Sequence, residues 1–345
     1  NPDVGVGGFN LDLIEGPDLQ TNAAAQAAFE RAAQFWESIL SDPVTVRLDA
    51  DFTSVGFSGP NVVGSTSVQN FNFQYSDIRA RLTYDAAPNE SLVNSLPAVG
   101  ALNFSLPAGP ALLQLTSGVN NPVMAVTRAN ALALGFTNLT TGVPTSAFSP
   151  GVLIDGTIKF NSAFSFDFDN SNGVSPGSLD FETVAIHEIG HALGFFSTVD
   201  VVDAVLDAGS PPTTVFPQPL DLFRLAPGQG PNFSTATRVL TTGGDQVVYD
   251  GQFDISQYKA AFAAGIPNLA TGDIVMSTGR ATGDTQQASH YKAGETSGFQ
   301  GLMDPTINFQ EILPFTQTDL RLFGLIGWDT VNNGRFTPAP TVAVT

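Results

Sequence analysis

The spacing of apolar residues along the chain predicts both helices and strands. Over residues 21–40 the apolar side chains recur every three or four positions, which is typical of a helix with one buried face. Residues 44–52 alternate between apolar and polar side chains, which is typical of a half-buried strand. The same reasoning predicts further helices over residues 76–84, 122–134, 255–264 and 318–328.

The helical pattern of residues 179–195 carries candidate chemistry, because this segment contains two of the three histidines. Asp180 suits the positive end of a helix dipole, and Gly194 is a residue at which a helix would end. His187 and His191 are four positions apart. On a helix their imidazole rings therefore face the same way and can hold one metal ion.

Glu188 follows the first of these histidines, one step around the helix. From there its carboxylate can reach a water molecule on the metal without binding the metal itself. The pattern His-Glu-x-x-His is typical of zinc sites in which the glutamate acts as a general base. The segment therefore predicts a zinc site with Glu188 as its catalytic residue.

A zinc ion on this helix needs a third protein ligand from elsewhere in the chain. The only other histidine is His290. The alternative ligands are carboxylates downstream of the helix, namely Asp200, Asp203, Glu295 and Glu311. Both glutamates stand in sequence that is poor in helix-forming pattern, and we therefore expect His290 to be the third ligand.

The extended pattern HExxHxxG, which ends at Gly194, resembles the metzincin clan of zinc peptidases. Most metzincins place the third ligand three residues after this glycine, where this chain has Ser197, a poor zinc ligand. His290 is followed by Met303, within the turn-like sequence of residues 301–305. A distant histidine followed by such a methionine resembles the leishmanolysin branch of the clan, in a bacterial exported form.

This resemblance implies an α+β fold with two lobes and a mixed sheet. Residues 1–334 would form one catalytic domain, in which the N-terminal lobe (1–196) contains the zinc helix. The C-terminal lobe (197–334) would contain an insertion over about 200–283, the methionine turn and a terminal helix. Met303 would form an apolar floor under the metal site. Residues 335–345 have the composition of a linker or tail.

Three neutral imidazoles would leave one zinc position for a water molecule, whose pKa zinc lowers to about 7. Glu188 would take a proton from this water and return it to a leaving amine. The sequence thus predicts a zinc endopeptidase that acts on extracellular proteins. Two alternatives stay open: a zinc hydrolase with a narrow peptide or amide substrate, and a non-catalytic surface protein on a protease scaffold. The intact Glu188 argues against the second.

An extended peptide substrate can be held by pairing with an edge strand. The best candidate upstream of the zinc helix is the alternating stretch 156–161, which begins with Gly156, Thr157 and Ile158. An interior strand would show the same alternation. Tyr291, next to His290, would either donate a hydrogen bond to an oxyanion or pack in the core.

Alternate oxygen-bearing residues over 165–173, including Asp167 and Asp169, suggest a calcium (Ca²⁺) ligand set or an acidic solvated turn. The segment lacks the glycine and glutamate positions of an EF-hand loop. Calcium is therefore a second cofactor that the sequence suggests without a complete motif.

The chain is acidic, with 13 Lys and Arg against 32 Asp and Glu and a formal net charge of −19. Such a surface repels phosphate backbones, so we expect no nucleic-acid partner. The chain has no cysteine, which excludes disulfides and thiolate ligands. No apolar run approaches the roughly 18 residues that a membrane span needs.

Low lysine content with many Gly, Ser, Thr, Asn and Phe residues is typical of extracellular bacterial enzymes. The sequence begins at Asn1 without a charged and apolar leader, which fits a mature form whose signal segment has been removed. We expect a soluble, exported monomer whose partner is a protein or peptide substrate.

Overall fold

The computed structural model describes residues 8–86, 90–107, 114–115, 121–137, 139, 153–210, 214–251, 273–293 and 299–330. The predicted helix over 255–264, the predicted tail over 335–345 and Glu295 lie outside these residues.

The described helices are α1 (Pro17–Gln20), α2 (Ala23–Ile39), α3 (Tyr75–Asp85), α4 (Ser91–Asn94), α5 (Arg128–Ala133), α6 (Phe181–Ala192), α7 (Val199–Asp207) and α8 (Gln317–Leu325). The first strands are β1 (Asn10–Glu15), β2 (Thr45–Thr53), β3 (Gly64–Val68), β4 (Asn70–Gln74), β5 (Phe104–Ser105), β6 (Gln114–Leu115), β7 (Val123–Thr127) and β8 (Gly156–Asn161). The later strands are β9 (Phe166–Asp167), β10 (Leu179–Asp180), β11 (Thr214–Val215), β12 (Arg224–Leu225), β13 (Arg238–Val239), β14 (Gln246–Tyr249) and β15 (Asp273–Met276).

The largest sheet is mixed and has the strand order β1, β2, β8, β3. The first three strands are parallel, and β3 pairs antiparallel with β8 at one edge. Apolar side chains of the sheet pack against α2 and α6, and buried phenylalanines fill the space between them. The ring centroids of Phe29 and Phe160 are 5.7 Å apart, and those of Phe160 and Phe181 are 4.6 Å apart. Aromatic packing of this kind holds α6 at the sheet.

The residues after α6 form shorter elements around the same core. A three-stranded antiparallel sheet has the order β12, β14, β15. The terminal helix α8 begins with a capping box between Thr316 and Asp319. Beyond it, the indole Nε1 of Trp328 donates to the carbonyl of Leu193 at 2.8 Å, which joins the C-terminal segment to the end of α6.

The structure confirms a mixed α+β architecture and the helices predicted over 21–40, 76–84 and 318–328 to within a few residues at each end. The prediction of one helix over 122–134 was wrong in its first half, where strand β7 pairs with β4. Three of the five residues in its sequence VMAVT are β-branched and favour a strand, and pairing with β4 fixes that conformation. The predicted lobe boundary at 196 and the insertion over 200–283 stay predictions.

None of the helices in the described ranges is long and apolar enough to cross a membrane.

Candidate metal centre and cleft

Local hydrogen bonds explain why α6 begins and lies where it does. The Asp180 carboxylate caps the helix by accepting from the backbone N–H of Thr183 at 3.0 Å. Trp36 Nε1 on α2 donates to the carbonyl of Ile186 at 3.0 Å. The helix is therefore anchored one residue before the first histidine.

The glycine after α6 turns the chain back toward the second histidine. Gly194 has a φ of 115°, a left-handed conformation that favours glycine. This turn brings the carbonyl oxygen of Phe195 to 2.8 Å from His191 Nδ1. The motif glycine thus orients the ring of His191.

The fold brings all three histidines together. The Nε2 atoms of His187 and His191 are 3.1 Å apart, and both lie close to His290 Nε2, at 3.2 Å and 3.1 Å respectively. Among the described residues, these three are the group of His, Cys, Asp or Glu whose geometry could hold a metal ion. A tetrahedral zinc ion with Zn–N bonds of about 2.0–2.1 Å separates its ligand atoms by about 3.3 Å. The spacing therefore suits zinc.

The contacts of the three Nδ1 atoms show that the Nε2 atoms can bind a metal. His187 Nδ1 lies 2.8 Å from the carbonyl of Leu302, and His290 Nδ1 lies 3.3 Å from that of Gln287. With the contact at His191, each Nδ1 faces a carbonyl oxygen and carries the ring proton. Each Nε2 then presents a lone pair. Three converging lone pairs cannot satisfy one another, and a cation between them would.

Burial keeps these rings neutral. It lowers the pKa of His187 to about 4 and that of His191 to about 3, and it also lowers the pKa of His290 well below its usual value. For His191 and His290 the neighbouring imidazoles lower it further. A neutral imidazole is the form that binds zinc, so the site is prepared for a metal at neutral pH.

Glu188 lies beside the histidines and contacts the edge strand β3. Thr66 Oγ1 donates to Glu188 Oε2 at 2.7 Å. Burial raises the pKa of Glu188 to about 7, and the Thr66 hydrogen bond opposes this shift. The backbone of β3 also comes very near: a Cβ at Gly64 would lie 2.5 Å from Glu188 Oε1. Sequence patterns did not identify Gly64 or Thr66, because GSTSV has only a weak strand signal.

Met303 packs directly beneath α6. It is fully buried, and a Cβ at Gly190 would lie 2.8 Å from its sulfur atom. Gly190 lies between the two helix histidines in sequence. Because of this close contact, a side chain at Gly190 would displace the methionine. The preceding carbonyl, of Leu302, is the one that contacts His187. The methionine turn therefore supports one ring by packing and hydrogen bonding.

The histidines lie in a cleft of about 610 Å³. One wall is β3 with the loop before it, and the other includes residues 285–290 and 304–308. Strand β8 is interior, between β2 and β3. This position contradicts the predicted pairing of Gly156, Thr157 and Ile158 with a substrate, because both edges of β8 already bind neighbouring strands. Of the described strands in this sheet, β3 is the edge strand that borders the cleft.

Three of the four alternative ligands lie in the described part of the chain, and these three have other partners. Asp200 and Asp203 accept backbone hydrogen bonds from residues 281–289, and Glu311 accepts from Asn308. Tyr291 is buried, and its hydroxyl donates to Asp319 Oδ1 at 3.0 Å. It does not line the cleft, so it packs rather than faces an oxyanion.

The suggested calcium segment is a series of hydrogen-bonded turns. Asp167 accepts from the backbone N–H groups of Asp169 and Ser175, and Asp169 accepts from that of Ser171. These bonds lower the pKa of both carboxyls, led by the interactions with Ser175 and Ser171. The turns explain the acidic residues without a metal, and the prediction of calcium has no support.

A family model of the matrixins, peptidase family M10, matches residues 137–208. This range contains His187, Glu188 and His191 and ends before His290. None of the curated proteins and none of the solved structures compared with the chain matches it. Matrixins are a metzincin family, and the match together with the histidine triad suggests a zinc metallopeptidase. Over about a fifth of its length, the chain is therefore similar to metzincin peptidases.

Proposed function

We propose that the chain is a zinc endopeptidase of the leishmanolysin-like kind, in which His187, His191 and His290 hold the zinc ion. The observation that supports this proposal is the convergence of the three Nε2 atoms. His290 is 99 positions after His191 in the sequence, and the fold nevertheless brings its Nε2 atom next to those of the two helix histidines. Ser197, at the third-ligand position of the short metzincin pattern, donates its hydroxyl to Asp221 at 2.6 Å instead. His290 is therefore the available third ligand.

A zinc ion in this site would act as a Lewis acid toward a substrate carbonyl and would lower the pKa of bound water to about 7. Glu188 is the general base, which accepts a proton from the attacking water and returns it to the leaving amine. Thr66 holds its carboxylate toward the cleft.

The substrate that this cleft suits is an extended peptide. Strand β3 is an edge strand of the sheet that the described residues form, and its residues Gly64, Ser65 and Thr66 line the cleft beside Glu188. A peptide that pairs with this edge would pass over the histidines in an extended conformation. The low lysine content with many Gly, Ser, Thr, Asn and Phe residues favours a secreted bacterial enzyme, and we propose that it acts as a monomer on extracellular proteins.

Metal content and cleavage of casein test this function together. We expect one zinc ion per chain by mass spectrometry, and cleavage that a chelator abolishes and added zinc restores. Zinc without cleavage of casein would favour a narrow substrate or a non-catalytic scaffold. A chain that binds no zinc would contradict the proposal.

A further inference from the structure

The loop that carries the third histidine has little regular structure of its own. This segment, residues 277–290, is called the His290 loop below. It begins after β15 and contains one isolated bridge, between Gly279 and Gln286. Its last residue is joined to its first, because the backbone N–H of Ser277 donates to the carbonyl of His290 at 3.0 Å. The residues between them are also held by bonds from other parts of the chain.

Side-chain bonds to the residues just before His290 come from Asp200, in the first turn of α7. Its Oδ1 accepts from the backbone N–H of Ala288 at 2.6 Å. Its Oδ2 accepts from the backbone N–H of Ser289 at 2.9 Å and from the Ser289 hydroxyl. One carboxylate thus holds both residues that precede His290.

Further contacts complete this attachment. Ser289 Oγ accepts from the backbone N–H of Ser197 at 2.9 Å. The guanidinium of Arg224, which is fully buried, donates to the carbonyl of Ala288 at 3.0 Å. The His290 loop is therefore bound directly to the segment that follows the metal helix.

The ring of His290 has weaker support than the other two. Its Nδ1 contact with Gln287 is 3.3 Å long, whereas the corresponding contacts of His187 and His191 are 2.8 Å long. The position of its Nε2 atom therefore follows from where the backbone of residues 288–290 is held.

We propose that Asp200 is a positioning residue for the third zinc ligand. By fixing the backbone at Ala288 and Ser289, it places His290 Nε2 within 3.1–3.2 Å of the two helix nitrogens. This inference rests on the proposed function only in taking the three histidines as the zinc site. Asp200 itself is not a ligand, because the group that could hold a metal among the described residues consists of the three histidines.

Asp203 provides a matched control on the same helix. Its carboxylate also accepts from two backbone N–H groups of the His290 loop, those of Ala281 at 2.8 Å and Thr282 at 2.7 Å. These residues are further from His290 in the chain. Loss of Asp203 would therefore weaken the attachment of the loop without releasing the residues next to the ligand.

The experiment compares Asp200→Asn with Asp203→Asn in the full chain. Zinc affinity is measured by competition with a chromophoric chelator, and ligand geometry by the visible spectrum of the cobalt-substituted protein. Loss of a partner that orients a metal ligand typically weakens binding by about 10- to 100-fold. We expect this loss and a changed cobalt spectrum in Asp200→Asn, with affinity and spectrum close to wild type in Asp203→Asn.

Ser289→Ala keeps the test decisive if Asp200→Asn does not fold. It removes the hydroxyl between Asp200 and Ser197 and should weaken zinc binding by a smaller factor. Wild-type affinity in Asp200→Asn, or in Ser289→Ala if only that variant folds, would overturn the proposal, as would equal losses in the two aspartate variants. Zinc binding without casein cleavage would contradict the endopeptidase function and leave this comparison valid, whereas a wild-type chain without zinc binding would overturn both.

Discussion

Two regions supply the candidate zinc ligands, and they are built in different ways. His187 and His191 lie on α6, where backbone hydrogen bonds within the helix set the spacing of the rings. His290 lies at the end of the His290 loop, whose backbone is held by side chains from other elements and by the bond from Ser277 N–H to the His290 carbonyl. A helix positions two ligands through local geometry, whereas the loop depends on tertiary contacts.

In the His290 loop, hydrogen bonds from buried charged side chains hold the backbone that regular secondary structure would otherwise hold. Burial raises the pKa of Asp200 and Asp221, and the hydrogen bonds that each accepts oppose this shift. The buried Arg224 lies near both carboxylates and also lowers their pKa. The loop is thus fixed by a network in which each charge has partners, because an unpaired buried charge would be costly.

The methionine turn connects the two regions. The Asp319 carboxylate of α8 accepts from the backbone N–H groups of Leu302 at 2.8 Å and Met303 at 3.2 Å, and from the Tyr291 hydroxyl. Tyr291 follows His290, and Leu302 contacts His187. The buried carboxylate of Asp319 therefore connects, through hydrogen bonds, the residue after His290 with the residue that contacts His187.

Replacement of the general base should have the largest effect, and it leaves both ligand regions intact. We expect Glu188→Gln to lower the rate of peptide hydrolysis by about 10²- to 10⁴-fold, because a positioned base contributes that much. Zinc content should not change. Glu182→Gln is the control on the same helix, since Glu182 pairs with Arg31 at 2.9 Å. Retained turnover in Glu188→Gln would remove this residue from the mechanism.

Removal of the loop ligand tests the second region directly. We expect His290→Ala to weaken zinc binding by more than the roughly 100-fold that loss of an outer partner costs, because a metal ligand itself is lost. Ser197→Ala should keep the affinity for zinc near that of wild type. Chelator competition on both variants measures this difference. The reverse pattern would contradict the long separation between the second and third ligands.

A side chain at Gly190 tests the packing between α6 and the methionine turn. Its Cβ would lie 2.8 Å from Met303 Sδ and 3.3 Å from both Phe323 and Trp36. We expect Gly190→Ala to lower the free energy of unfolding by about 1–3 kcal/mol, because overpacking outweighs the better helix propensity of alanine. Gly324→Ala on α8 is the control, since no atom of the described residues outside its own stretch of helix lies within 4 Å of the added Cβ. Denaturant unfolding should show destabilisation only at Gly190.

The smallest effect that we expect is on how the free energy of unfolding depends on pH. It comes from three carboxyls away from the His290 loop, which have fewer hydrogen-bond partners than Asp200 and Asp221. Asp42 Oδ2 accepts from the backbone N–H of Asp329, but its Oδ1 has no hydrogen-bond partner in the described part of the chain. Burial raises the pKa of Asp85 to about 8 and that of Asp329 to about 6, and Asp329 raises that of Asp85 further. None of the three lines the cleft.

The pKa values of these carboxyls in the folded state exceed the unfolded value of about 3.9. At a pH between the unfolded and the folded pKa, the folded state therefore binds more protons than the unfolded state. The stability from these groups is therefore fully present below about pH 4 and is lost as the pH rises through about 6 and then about 8. Urea unfolding of the metal-free protein across this range should show the decline. Asp85→Asn should flatten its upper part, and an unchanged slope would contradict the role of Asp85.

Local patterns in the sequence predicted much of the fold and the helix ligands. The apolar spacing of α2 and the motif on α6 act within a few residues, where helix geometry decides the outcome. Tertiary pairing decided the regions that were predicted wrongly or missed. Residues 123–127 became a strand because β4 pairs with them, and β8 became interior because β3, a polar strand with little pattern, occupies its edge.

The sequence by itself determined that His187, Glu188 and His191 share one helix, because a fixed rise and rotation per residue relate them. It also made His290 the third candidate by leaving no other histidine. Only the tertiary structure decided that His290 reaches the helix nitrogens. That contact depends on Asp200, Arg224 and the methionine turn, whose bonds join residues far apart in the chain and leave no periodic pattern.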